Sequence, residues 1–334
     1  MIFRRKNAGR QKDYTRVFFA TDVHGSDDCW GKFLNASVAY QADVLVMGGD
    51  ITGKVIVPIV RRHAGGYEFK FQGVSHQVAD EDELKAIEKI MHRTGSYPYR
   101  TDAEEMAEIG RTGGGGQVDG IALELMAERV RRWLALAEER LAPTQSKLLM
   151  GCGNDDPYEL DEIIQASEVV VAHDNRVVRI DEHHEMIGLG YANPTPWECP
   201  RDIREEELAE RISRLAQEVE DPSNCVYCVH VPPVDSQLDT CPQLDASVDP
   251  PALVTDGAGQ PIMHGAGSTA VRAAIERDQP LASLHGHIHE SRGAVKIGRT
   301  ESFNPGSEYS EGLLRGLILN LTPDSVLSHQ FTSG

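Results

Sequence analysis

No run of apolar residues in this chain approaches the roughly 20 that a membrane-spanning helix requires. Basic residues are also scarce. Thirty-three Lys and Arg stand against 52 Asp and Glu, a net charge of -19, so the average surface repels nucleic acid and anionic lipid. The six cysteines, Cys29, Cys152, Cys199, Cys225, Cys228 and Cys241, are too few and too scattered for a disulfide framework, and reduced thiols are expected. Cys225 and Cys228 form a Cys-x-x-Cys, but a zinc ribbon needs a second pair and a redox motif should open a helix. Lying in an apolar run, they read as buried thiols. Met1 to Arg16 is polar and basic, with neither an apolar run nor a cleavage site. These absences lead us to expect a cytoplasmic protein that is neither a membrane protein nor a non-specific nucleic-acid binder.

What is present is the composition of a globule. Hydrophobic residues make up 40% and charged residues 25%, outside the disordered range, and 334 residues suffice for one large domain with an insertion or for two domains. Short apolar runs of strand length occur at Arg16 to Ala20, Asp43 to Met47, Lys147 to Met150, Cys225 to Val229 and Leu281 to Leu284, each followed at once by a polar cluster. Further strands are expected at Glu168 to Ala172, Val177 to Ile180, Glu185 to Leu189, Ala294 to Ile297, Gly316 to Leu321 and Ser325 to Phe331. Leu208, Ile212, Leu215 and Val219 recur at helical spacing within Asp202 to Glu220. Asp156, Pro157 and Glu159 read as the N-cap, first-turn proline and capping-box acid of another helix. Alternation of strands and helices indicates an α/β fold.

Between Gly53 and Lys147 lie about 90 residues, far more than a plain connection, so this interval must hold structure of its own. Leu84, Ile87 and Met91 mark one helix, Thr101 with Glu104 caps a second, and Leu123, Met126, Val130 and Leu134 mark a third. We expect residues 1–53 and 147–334 to form the core and 54–146 an inserted, mainly helical cap. The run Gly113 to Gly116 follows no strand and reads as a linker, not a phosphate loop.

Metal-ligand chemistry follows each of the five apolar runs, where open α/β sheets gather their sites. The clusters are Asp22-Val23-His24, Gly48-Gly49-Asp50, Gly153-Asn154-Asp155-Asp156, His230 and Gly286-His287-Ile288-His289. Singly each is a common accident; five in this order converge on one centre. Mixed imidazole and carboxylate ligands suit manganese, zinc, iron or nickel.

These clusters, in this order, resemble the calcineurin-like metallophosphoesterase superfamily, in its prokaryotic branch, over nearly the whole chain. The resemblance implies a four-layer α/β/β/α sandwich of two mixed β-sheets. It implies that Asp22, His24 and His289 hold one ion, that Asn154, His230 and His287 hold a second, and that Asp50 bridges them. Asp50 and Asn154 are then the catalytic residues, and Asn154 also meets the substrate. The implied reaction is phosphate-ester hydrolysis by a metal-bridging hydroxide between two divalent ions about 3.5 to 4 Å apart. Asn304-Pro305-Gly306-Ser307 and the loop Gly190 to Trp197 resemble two further loops of such proteins, though both also read as plain turns.

The pattern breaks in one place. Where the family carries a histidine after the asparagine, this chain has Asp155, and where a carboxylate orients that histidine it has Gly53. Asp155 enters the catalytic position without being a simple substitute, because an unpaired carboxylate repels phosphate. Lys54 is the candidate to pair with it or to bind the substrate phosphate. Arg61, Arg62 and His63 read as a solvated basic turn, and His183 with His184, though set among Asp181, Glu182 and Glu185, read as neighbours that point apart on a strand and share no metal.

The expectation is hydrolysis of a small-molecule or nucleotide-sized phosphodiester or activated phosphomonoester, with the cap narrowing access to the metals. Nucleic acid and membrane are not expected partners, and a homo-oligomer is compatible with the sequence. The contrasting reading is a catalytically weak or idle metal-binding scaffold.

Overall fold

Leucine-rich and β-branched runs with no polar alternation form parallel strands buried on both faces, and two six-stranded mixed sheets result. The computed structural model describes residues 13–111, 115–248 and 250–334. Residues 1–12 of the polar start and Gly113 and Gly114 of the glycine run lie outside them. Gly115 and Gly116 open the helix Gly115–Leu141.

The first sheet has the order Ser325–Ser333, Arg315–Thr322, Thr15–Ala20, Val44–Met47, Lys147–Met150, Val170–Ala172, parallel from Thr15–Ala20 onward. The second runs Gly293–Ile297, Thr300–Asn304, Ala282–Leu284, Val226–Val229, Glu185–Leu189, Arg176–Arg179, with antiparallel pairs only at its edges. Alternate side chains sort by face. Val17, Phe19, Val44, Val46 and Leu149 of the first sheet pack with Met186, Val226, Cys228, Leu284 and Phe303 of the second, so the sheets lie face to face. Phe18, Leu45, Met47, Leu148 and Met150 point the other way, toward the helices Asp27–Ala39, Gly115–Leu141 and Leu160–Gln165. On the far side of the second sheet, Ile187, Leu189, Tyr227 and Val229 meet the helices Glu205–Ala216 and Thr269–Asp278.

The insertion divides in two. Its first part carries a four-stranded sheet of order Val74–Val78, Tyr67–Phe71, Ile56–Arg61, Tyr97–Asp102, which the sequence reading missed. With the helix Glu81–Arg93 it closes a small apolar cluster of its own around Val57, Ile59, Phe69, Leu84 and Met91. The helix Ala103–Arg111 is capped by Asp102, which accepts from Glu104 N and Glu105 N at 3.0 and 2.9 Å, instead of by Thr101. The third helix, Gly115–Leu141, belongs to the core. Trp133 stacks on Trp30 with ring centroids 4.9 Å apart, and its indole donates to Asp27 at 2.6 Å.

Buried Arg129 of this helix donates to Gly25 O and to Ser96 O, and lies over the Tyr97 ring. It thereby ties the insertion to the loop after the first strand. Cys225 and Cys228 are buried thiols at the strand Val226–Val229. No helix among the described residues is long and apolar enough to cross a membrane.

Candidate metal centre

Five of the parallel strands end in turns that aim one or two polar side chains at the same point. Asp22 and His24 follow Thr15–Ala20, Asp50 follows Val44–Met47 and Asn154 follows Lys147–Met150. His230 follows Val226–Val229, and His287 and His289 follow Ala282–Leu284. Asp22, His24, Asp50 and His287 adopt φ of 53°, 39°, 47° and 66°, the left-handed region that costs a side-chain-bearing residue energy. Four of the seven expected ligands thus hold strained backbone. Gly49 and Gly153 let the second and third loops touch. A Cβ at Gly153 would lie 2.1 Å from Asp50 Oδ1, and one at Gly49 would lie 2.7 Å from the Gly153 Cα.

The ligand atoms form two sets, Asp22 with His24 and His289, and Asp50 with His230 and His287, and each could hold a metal ion. Within the first, His289 Nε2 is 3.5 Å from Asp22 Oδ1 and 3.1 Å from His24 Nε2. Asp50 joins the sets, with its Oδ2 3.3 Å from His230 Nε2 and 3.7 Å from His24 Nε2. Asn154 enters the second through Oδ1, 3.0 Å from His287 Nδ1.

Whether these residues fit cations is decided by their orphaned lone pairs. A carbonyl only accepts, so His24 Nδ1 donates to Thr52 O at 3.2 Å and His230 Nδ1 to Gly48 O at 3.0 Å. Both Nε2 atoms are left to face the site. His230 Nε2 is buried and has no aligned hydrogen-bond partner, and His24 Nε2 faces another imidazole nitrogen. Nitrogen lone pairs and carboxylate oxygens converging in a buried space call for positive charge. The titration directions agree. Burial disfavours charge on His230, yet Asp50 and Asp22 raise its pKa to about 10. Burial pushes the Asp22 carboxyl up, but His289 and His230 hold it below its usual range. Burial lowers His287 to about 4 and lowers His24, keeping both free to ligate. Divalent ions would take the place of the shared proton.

The surrounding bonds orient these ligands. Asp202 Oδ1 accepts from Asn154 Nδ2 at 2.8 Å, which turns the amide oxygen toward the site. Its Oδ2 accepts from Thr195 N, Thr195 Oγ1 and Cys199 N at 2.9, 2.6 and 3.0 Å and ties down the neighbouring loop. Asp202 had read as a helix start, and only the fold reveals this role. Asp156 is corrected likewise: it is no N-cap, since the helix begins at Leu160 after Glu159. It is buried and accepts from Ile51 N, Thr52 N and Gly153 N at 3.0, 2.9 and 2.8 Å, stapling two ligand loops. Burial and the charge of Asp50 push it up to about 6. The Asn304 loop is a third staple. Asn304 Nδ2 donates to Ile288 O at 2.9 Å and Ser307 Oγ to Asp22 O at 2.6 Å.

Lys54 forms an ion pair with Asp155, whose backbone N donates to Asp50 Oδ1 at 3.0 Å. Cys199 Sγ joins them, 3.1 Å from Asp155 Oδ1. Gly53 admits no carboxylate, because a Cβ there would lie 2.5 Å from the His24 carbonyl oxygen. Both members of the dyad are thus absent from the site. Arg61, Arg62 and His63 do not line the cleft above the ligands, and Arg62 pairs with Glu68 and Gln77. His184 is buried, sharing Nδ1 with Asp181 at 2.8 Å and Nε2 with Thr322 O at 2.9 Å, so it is no metal site.

The cleft over the ligands has a volume of about 820 Å³. Among the described residues of the insertion, Lys54 alone lines it. Its walls are the loop Asn193 to Cys199 and a later excursion of two short hairpins, Thr240–Pro242 with Met263–Gly265 and Leu244–Asp245 with Ala252–Leu253. The expected narrowing of access therefore falls to these segments and not to residues 54–146.

No family model matches the sequence. An uncharacterized protein of Methanocaldococcus jannaschii, MJ1162, is 28% identical over 171 residues, spanning 50% of this chain and 68% of its own. One crystal structure superposes with a TM-score of 0.57 at 17% identity, over 96% of this chain and 98% of the other. That of TT1561 from Thermus thermophilus gives 0.51 at 12% identity, over 96% and 98%. At these identities the likeness is one of fold.

Proposed function

We propose that this chain, whose fold is that of the calcineurin-like metallophosphoesterases, is a cytoplasmic two-metal phosphoesterase acting on small phosphodiesters or activated phosphomonoesters. The observation that carries this reading is Asp50, a single carboxylate within 3.7 Å of both His24 and His230, joining two ligand sets. Two divalent ions, manganese, iron, zinc or nickel, would supply Lewis-acid polarisation of the phosphate and an activated water. The protein's share is to hold the site. Asp22, His24 and His289 form one set, and Asn154, His230 and His287 the other. Asp202 fixes the Asn154 amide, and the left-handed turns keep the ligands converged without rearrangement.

Asp155, paired to Lys54, stands where an imidazole would protonate a leaving oxygen, which favours esters whose leaving groups depart as anions, aryl diesters and activated monoesters alike. The same feature, with the closed space at Gly53, favours a second reading, a metal-binding scaffold of weak activity. The discriminating experiment is turnover of bis(p-nitrophenyl) phosphate and p-nitrophenyl phosphate after loading with manganese, nickel or zinc, with Asp50→Ala as the control. Metal-dependent turnover, faster on the diester and lost in the variant, is expected. Two bound ions with no turnover of either compound would establish the scaffold.

A further inference from the structure

Trp197 stands 60% exposed on the wall of the cleft, directly after Pro194-Thr195-Pro196. Its loop is not slack. Three donors from Thr195 and Cys199 converge on one oxygen of Asp202, the carboxylate that also orients Asn154 on the metal floor. The loop that carries the indole and the Asn154 ligand thus share one anchor, which lowers the conformational cost of using the indole.

The charge of the cleft limits what can lie there. Among its described lining residues Lys54 is the one fixed cation, and it is spent on Asp155, while Glu290 and Asp155 add negative charge. A polyphosphate would find no partner beyond the metal floor. Pro242, Leu244 and Leu253 give part of the remaining wall an apolar surface.

We propose that Trp197 is a stacking platform for a flat heteroaromatic group, of the nucleobase kind, attached to the single phosphate ester that the floor accepts. The assignment rests on the phosphoesterase reading above. A planar ring matches an indole on an anchored loop better than a flexible chain does, because every base offers a π-face.

The test uses three diesters with one leaving group: p-nitrophenyl esters of thymidine 5′-phosphate, of ethyl phosphate and of decyl phosphate. We expect kcat/KM for the thymidine ester to exceed that for the ethyl ester about tenfold. Trp197→Ala should erase that preference and Trp197→Phe should keep most of it. Calorimetry on the manganese-loaded protein should show the same pattern for adenosine 5′-monophosphate over ribose 5-phosphate. No preference in the wild type, or a preference that survives Trp197→Ala, overturns the platform. An equal Trp197-dependent gain for the decyl ester overturns its aromatic character. If no ester is hydrolysed, the phosphoesterase reading fails, and the binding preference alone decides the platform.

Discussion

On the floor of the cleft, Asp22 and Asp50 are buried and held by strained turns at strand ends, with His230 buried beside them, whereas on its wall Trp197 and Leu253 are 60% and 56% exposed on a loop and a short hairpin. The floor is fixed before any ligand arrives, since four of the five ligand loops are stapled in place by Asp156, Asn304 or Ser307. The wall rests on one carboxylate and short hairpins. Chemistry that demands sub-ångström placement lies where three layers of bonds overlap, and recognition that can vary lies where one does. Asp202 alone belongs to both.

The sharpest way to break this contrast is to disturb the floor. Asp50→Asn removes the charge shared by the two ligand sets and should lower metal-dependent turnover at least about 10³-fold. The protein should remain folded by circular dichroism. Asp202→Ala comes next, because it frees both the Asn154 amide and the Thr195 loop. Metal affinity should fall roughly 10- to 100-fold and KM for aryl diesters should rise with it. A loss confined to KM would mean that Asp202 serves the wall alone. Lys54→Ala exposes the phosphate to an unpaired Asp155, so KM should rise roughly threefold to tenfold. Adding Asp155→Asn should restore it. If the single variant behaves as wild type, Lys54 simply points into water.

The smallest effect lies beneath the floor. His173 packs its imidazole on Gly151 and Gly188, and burial lowers its pKa to about 4. For a histidine held neutral, the stability it contributes is whole above the ordinary pKa of about 6.5 and is lost as pH falls toward 4. Denaturant midpoints should drop over that window by an equivalent of at most about 3 kcal/mol, and the drop should shrink in His173→Gln.

The floor was legible in the sequence because its chemistry is local: each ligand follows an apolar run directly, and strand order brings the runs together. The core strands were legible for the same reason. Thr300–Asn304 was not, because its buried Thr300 and Ser302 read as polar loop until Ser283 Oγ is seen to donate to Ser302 Oγ at 2.7 Å. The insertion's sheet escaped because Ile56–Arg61 contains Pro58 and Val74–Val78 has apolar residues only at its ends, although Tyr67–Phe71 alternates aromatic with charged residues as a half-buried strand does. Trp133 also passed unread, though its indole stacks on Trp30 across about a hundred residues and draws the insertion's last helix into the core. Asp156 and Asp202 misled for a shared reason. An acid beside a helical pattern reads as a cap, and only the fold shows that its partners are loops far away in sequence.

The most direct test of the account is the number of manganese ions bound per chain at saturation, measured by calorimetry and elemental analysis on the wild type and on Asp50→Ala. Two ions in the wild type and at most one in the variant are expected. One ion or none in the wild type would contradict the paired site on which the proposed function stands.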